Sequence, residues 1–330
     1  MSQKWKSKIL SSGLPLEFEV AKSLKERSFT CDFEYSYLRS DNNILKEFSC
    51  DIYAEFFDWA DNYDQGFVSE QEAYFIIECK FRLKDKIWLF LPDLNEPHKD
   101  IANSAFASLF NTFDNFSSFR IKEDELKKFE SKLKSVTKGV EVNLTTGDVT
   151  ESDIKHGIYQ LRYALPVILN TQIKNRLSGH IGDNLPFIIV PILITTADLF
   201  VLKDSTDISK VELSNNIDEI AIPVDYVSVH YQIGPDFISH CSNTFKGLDS
   251  DYKKSECSEE INELLKSITK ENRYYANSPT SLINSMILGQ EHYINSIFSK
   301  VIICKHSKLE ILIDQLLNAF KKTTKTGFEL

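Results

Sequence analysis

The stretch EAYFIIECKFR at 72–82 decides how this chain is read. It is apolar in its first half and charged toward its end, and it fits a β-strand. Side chains alternate faces along a strand, so Glu78 and Lys80 share one face while Ile77 and Cys79 share the other. A carboxylate and an ammonium at the charged end of an apolar strand have two explanations. One is a surface ion pair. The other is a hydrolytic site, in which Glu78 binds a hard cation through oxygen and Lys80 stabilises charge developing at phosphorus.

The spacing alone decides nothing. Glu125-Leu126-Lys127, Glu130-Ser131-Lys132, Asp153-Ile154-Lys155 and Asp251-Tyr252-Lys253 repeat it in helical or polar stretches. Only Glu78-Cys79-Lys80 follows a strand that carries a candidate acid. That acid is Asp51 in FSCDIYAEFF (48–57), an aspartate among Cys, Ile and Ala where burial is expected and charge is unusual. If the two strands pair, Asp51 and Glu78 can share a divalent ion.

Working outward, residues 14–28 read as a helix, with Gly13 and Pro15 at its entry and Leu16, Val20 and Leu24 at helical spacing. Strands are predicted at 29–38, 48–57, 72–82 and 86–91, an antiparallel meander after one helix. An acidic loop lies at 58–66. Helices are predicted at 100–119 and, as a solvated Lys/Glu-rich segment, from Lys122 to Lys138. A polar stretch with a TTGD turn covers 139–150. A long helix then runs from Ser152 to Leu177 through Pro166, followed by a fully buried strand at 186–195 and shorter strands at 199–203 and 222–231. From about 255 the pattern is mostly helical, and Val301–Phe320 reads as one amphipathic segment. The fold class is therefore α/β, a mixed sheet flanked by helices. We expect a core over 1–240 with a helical insertion at about 98–150, and a mainly helical extension over 241–330.

The 330 residues can bury a sizeable core. The net charge of −10 argues against a surface coated for polyanions, but not against a local basic groove. No run of about 18 apolar residues is present, and the start MSQKWKSKIL lacks a secretory h-region, so a cytoplasmic protein with no membrane partner is expected. The six cysteines form no CxxC, and no HExxH, GxGxxG or GxxxxGK[ST] occurs.

With Asp51, Glu78 and Lys80 in this order, the chain resembles the PD-(D/E)xK, or restriction-endonuclease-like, nuclease superfamily. That family places an acid at the start of one strand and (D/E)xK on the next. Many members add a glutamate on the preceding helix, and GLPLEFEVAKSLKERSF (13–29) is similar to that helix in archaeal Holliday-junction resolvases. Glu17 matches the glutamate, with Glu19 as its competitor. The chain departs in having Cys50 where the family has Pro and Ser28 where it usually has Gly. The resemblance covers residues 13–92. It implies a restriction-endonuclease-like fold and Mg²⁺- or Mn²⁺-dependent hydrolysis of nucleic acid, DNA rather than RNA. Asp51 and Glu78 would hold the metal, joined by the backbone carbonyl of Cys79, with Glu17 on a second ion or a metal-bound water and Lys80 on the nucleophile. It also implies a phosphate-reaching glutamine on a later helix, which Gln160 matches loosely, and a setting in restriction or phage defence. His156 and Arg162 flank Gln160 and read as a solvated face. The rival reading is a non-catalytic nucleic-acid or protein-binding subunit that keeps the fold. The helices after 240 are where a second copy or a partner subunit would dock.

Overall fold

The computed structural model describes residues 4–41, 44–58, 71–94, 125–177, 187–254 and 284–325. The chain begins with helices α1 (Lys4–Ser11) and α2 (Leu14–Lys25). Strands β1 (Thr30–Asp41), β2 (Ile44–Asp58), β3 (Gln71–Lys80) and β4 (Lys86–Pro92) follow, then α3 (Glu125–Glu130), β5 (Lys134–Asn143), β6 (Val149–Thr150) and α4 (Ser152–Leu177). Next come β7 (Phe187–Thr195), β8 (Asp198–Leu202), α5 (Ile208–Leu213), α6 (Ile217–Ile220), β9 (Ala221–Val224), β10 (Tyr226–His230), α7 (Pro235–Thr244) and α8 (Leu248–Lys254). The last elements are α9 (Glu291–Phe298), β11 (Lys300–Lys305) and α10 (Leu309–Lys325).

Eleven strands among the described residues form one mixed sheet, in the order β1-β2-β3-β7-β11-β10-β5-β4-β8-β9 with β6 beside β5. β1, β2 and β3 are an antiparallel meander, and β7 adds to β3 in parallel. Two apolar layers sandwich the sheet. On one face Leu16, Val20 and Leu24 of α2 and Leu312, Leu316 and Phe320 of α10 pack on Ile52, Phe75, Ile77 and Ile192. On the other, Leu161, Ala164 and Ile168 of α4 and Phe237 of α7 pack on Ile76, Leu193 and Val227. All nine residues of β7, FIIVPILIT, are buried because both faces of this strand are covered. No helix among the described residues is long and apolar enough to cross a membrane.

The mixed α/β architecture agrees with the pattern in the sequence, and four local expectations change. KIWLFLP does not extend the meander: β4 pairs with β5 and β8. The solvated helix from Lys122 stops at Glu130, and β5 runs through Lys134–Asn143 as part of the sheet, so the insertion is not purely helical. In KSVTKGVEVN Val136, Gly139 and Glu141 are buried while Lys134 and Lys138 are exposed, so this strand shows no clean alternation for the sequence to reveal. Val301–Phe320 is not one helix: VIICK forms β11 before α10 starts at Leu309. That strand lies between β7 and β10, so one sheet draws on both sides of residue 240 and the extension is not merely helical. The TTGD turn stands as read, with Gly147 at φ 78° and the Asn143 side chain accepting from the Thr145 and Thr146 amides. The predicted helix at 100–119 and nearly all of the acidic loop at 58–66 fall outside the described residues.

Candidate active site

β2 and β3 pair from Asp58 opposite Gln71 up to Ile52 opposite Ile77, and there the ladder stops. β3 continues alone against β7 as far as Lys80. The strands therefore part just where Asp51 would face Glu78. A side chain fills the gap: Asp51 Oδ2 accepts the Cys79 N–H at 2.7 Å, taking the place of a strand carbonyl. On the opposite edge β1 pairs through Phe33–Ile52 and Tyr35–Cys50, and the intervening Glu34–Asp51 pair is missing. Glu34 there adopts φ 57°, in the left-handed region. Asp51 thus sits at a break in both ladders, with one carboxylate oxygen bound to the sheet through the Cys79 amide.

Glu78 projects to the α4 face and is 1% exposed. Its Oε1 accepts from Lys80 Nζ at 2.5 Å, while Oε2 is buried without a partner. Burial, and then the neighbouring Asp51, push the Glu78 carboxyl up to about 7, against the pull of Lys80. Asp51 is also raised by burial, with the Cys79 amide and Lys80 opposing. Glu17 is raised by burial and then by Asp51 and Glu34, again with Lys80 opposing. Asp51 is therefore the common neighbour of three carboxylates, and Lys80 is a cation that answers them. Glu34 was not a candidate from sequence; only its break in the alternation of CDFEYSY marks it.

Two helices bring their N-terminal portions to this break. In α2, Gly13 at φ 82° precedes the helix, and a Cβ there would lie 2.9 Å from Glu17 Oε1. The glycine thus makes room for the glutamate. Glu19 points elsewhere, with Oε2 at 3.6 Å from His306 Nε2. Of the two glutamates left open by the sequence, Glu17 is the one that shares Asp51's surroundings. In α4, Gly157 packs so closely that a Cβ would meet Leu193 Cδ1 at 2.7 Å and Glu78 Cγ at 3.5 Å. His156, one residue earlier, is held below its ordinary value by burial and by Lys80, with Asp153 and Asp51 acting the other way.

Comparisons of the chain with protein-family models, with curated proteins and with solved structures find no match.

Gln160 lies one turn after His156. Its Nε2 donates to the Ser49 carbonyl at 2.9 Å, its own carbonyl accepts from Tyr37 Oη at 2.9 Å, and its Oε1 is buried without a partner. It ties α4 to β1 and β2 two residues from Asp51. Arg162 is not on a solvated face: it is buried, its guanidinium stacked on Phe237 at 4.2 Å and Tyr231 at 4.7 Å. The sequence hid this because Tyr231 and Phe237 lie far along the chain and an arginine on a helix reads as solvated.

Sequence reasoning also missed Arg82, the last residue of ECKFR. Its Nε donates to the buried Glu141, which also accepts from Lys86 Nζ at 2.6 Å and Trp88 Nε1 at 3.0 Å. Its other arm reaches Asp153 in the first turn of α4 at 2.7 Å. Arg82 therefore locks the exit of β3 to β4, β5 and the start of α4, the elements that frame Lys80. Burial opposes ionisation of Glu141, yet Lys86, Trp88 and Arg82 together hold its carboxyl below the ordinary value. Among the described residues no three His, Cys, Asp or Glu side chains are drawn together as a closed ligand set.

Proposed function

We propose that the chain is a metal-dependent nuclease of restriction-endonuclease-like arrangement, hydrolysing phosphodiester bonds in DNA. The observation that carries this reading is the pairing of Asp51 and Glu78 at the point where β2 leaves β3. Each carboxylate is engaged through one oxygen only, Asp51 by the Cys79 amide and Glu78 by Lys80. Glu78 Oε2 is left buried and unpartnered, an arrangement that costs about 1–3 kcal/mol unless something else satisfies it. The chain order supports the same reading: glutamate on α2, aspartate on β2, ExK on β3, glutamine on α4, then the parallel strand β7.

Hard oxygen donors with an orphaned buried carboxylate oxygen fit Mg²⁺ or Mn²⁺. Asp51 and Glu78 would hold the ion, with Glu17 at its margin and the Cys79 carbonyl beside it. When bound, such an ion polarises the phosphodiester and acidifies an attacking water. Cys79 would contribute only through its backbone, since its side chain is buried in the opposite apolar layer. Lys80, steered by Glu78, stabilises charge gathering on the phosphoryl oxygens. Glu17 sits within reach of Asp51 to orient water. Gln160 holds α4 at the distance the site requires.

The test is Mg²⁺-dependent cleavage of plasmid and single-stranded DNA by the wild-type chain and by Lys80→Ala. Loss of at least about 100-fold in rate is expected from removing a transition-state cation. Equal cleavage by both proteins would sink the assignment.

A further inference from the structure

Helix α1 contributes no side chain to either apolar layer of the fold. KWKSKILS buries no residue. Its spacing puts Trp5 and Ile9 on one face, both exposed, and α2 continues the surface with Leu14 and Phe18, 63% and 62% exposed. Several large apolar side chains together on one surface mark a contact region. Lys4, Lys6 and Lys8 stand among them, none held in an ion pair among the described residues, with Lys6 Nζ 5.7 Å from the Trp5 ring centroid. The helix carries no acid, although the chain as a whole carries −10. What covers this surface must therefore be anionic and must offer apolar faces to aromatic rings.

The position of the helix narrows the choice. α1 joins α2 through Gly13, the residue whose missing Cβ leaves room for Glu17 Oε1. The cationic helix is thus followed, four residues after Gly13, by the candidate site residue Glu17. We propose that α1 and the start of α2 form an arm for single-stranded nucleic acid, with Lys4, Lys6 and Lys8 on phosphates and Trp5 and Phe18 stacked on bases. The proposal rests on the nuclease reading and deepens it, because only an unpaired strand offers free base faces to stacking rings.

The experiment uses the full chain carrying Lys80→Ala, so that bound strand is not consumed. Binding is measured across a salt series for a labelled oligothymidylate of about 20 nucleotides, longer than the ~4–16 nucleotides such surfaces cover. A duplex of equal length and phosphatidylserine vesicles are run beside it. The single strand is expected to bind more tightly than the duplex. Lys4→Gln, Lys6→Gln and Lys8→Gln together should lower the slope of log affinity against log salt by about 2, at ~0.7 per phosphate contact. Trp5→Ala should weaken binding by about tenfold. Because α1 buries nothing, these variants should keep the wild-type melting temperature. Unchanged affinity and slope, preference for duplex, binding to vesicles alone, or a change confined to self-association in sedimentation would each overturn the arm. Cleavage by chains with native Lys80 is read separately. Lys80-dependent cleavage with no effect of α1 on binding overturns the arm alone; α1-dependent binding with no Lys80-dependent cleavage overturns the nuclease reading alone.

Discussion

Glu78 is a carboxylate whose burial makes it costly to keep charged. Its carboxyl titrates at about 7 in the fold against an ordinary 4.5. Between those values the folded chain holds a proton that the unfolded chain has released, so stability falls as pH rises through the window; below it the penalty vanishes. Glu78→Gln should therefore raise the melting temperature at about pH 8 without divalent salt, by the equivalent of 1–3 kcal/mol, and leave it unchanged near pH 4. Equal gains at both pH values would show that the cost is not one of charge. Ser28 is a second strained position. It closes the turn after α2 at φ 66°, where the resembling family carries glycine. Ser28→Gly removes a steric cost of ~1–2 kcal/mol and adds back part of it as chain entropy. A net gain of about 0.5–1 kcal/mol should show as a higher urea midpoint.

At the level of elements, the clamp from β3 to α4 decides whether the site keeps its shape. Arg82→Ala leaves Glu141 buried on Lys86 and Trp88 alone and frees the first turn of α4 from Asp153's partner. A loss of about 3 kcal/mol is expected from breaking such a pair. Glu141 is held below its ordinary value, so the stability it contributes is present above the carboxylate range and is lost as pH falls through it. Acid denaturation of Arg82→Ala should accordingly be shallower than that of the wild type. The strands and helices that frame the site were legible because local pattern and tertiary role agree in them: α2, β2, β3, α4 and β7 each carry the period their burial demands. β5 was not, because Lys134 and Lys138 occupy exposed positions, so its first half read as the end of a solvated helix and its second half as a polar stretch. Asp51, Glu78 and Lys80 could be picked out by residue type and placement. Glu34, Gly157 and Arg82 could not, since their importance lies in a φ angle, a missing Cβ and a partner 59 residues away.

At the scale of the whole molecule, β11 joins two half-sheets. β1-β2-β3-β7 carries the site, β10-β5-β4-β8-β9 carries none of its residues, and the order of the sheet links them only through residues 300–305. Val301, Ile302, Ile303 and Cys304 are fully buried, two in each apolar layer. A chain ending at residue 299 should lose its cooperative thermal transition altogether, whereas a detachable extension would leave a melting core; calorimetry separates the two.

The break in pairing at Asp51 also bears on specificity among ions. A gap bounded by backbone on two sides, the Cys79 amide and the half-buried, ion-paired Lys80 cannot widen freely. Magnesium holds a strict coordination shell at short range, while calcium accepts longer and more numerous bonds. On the proposed nuclease reading the parted strands would act as a gauge, and calcium is expected to compete with magnesium, supporting DNA binding but not cleavage when the two ions are compared in the same assay.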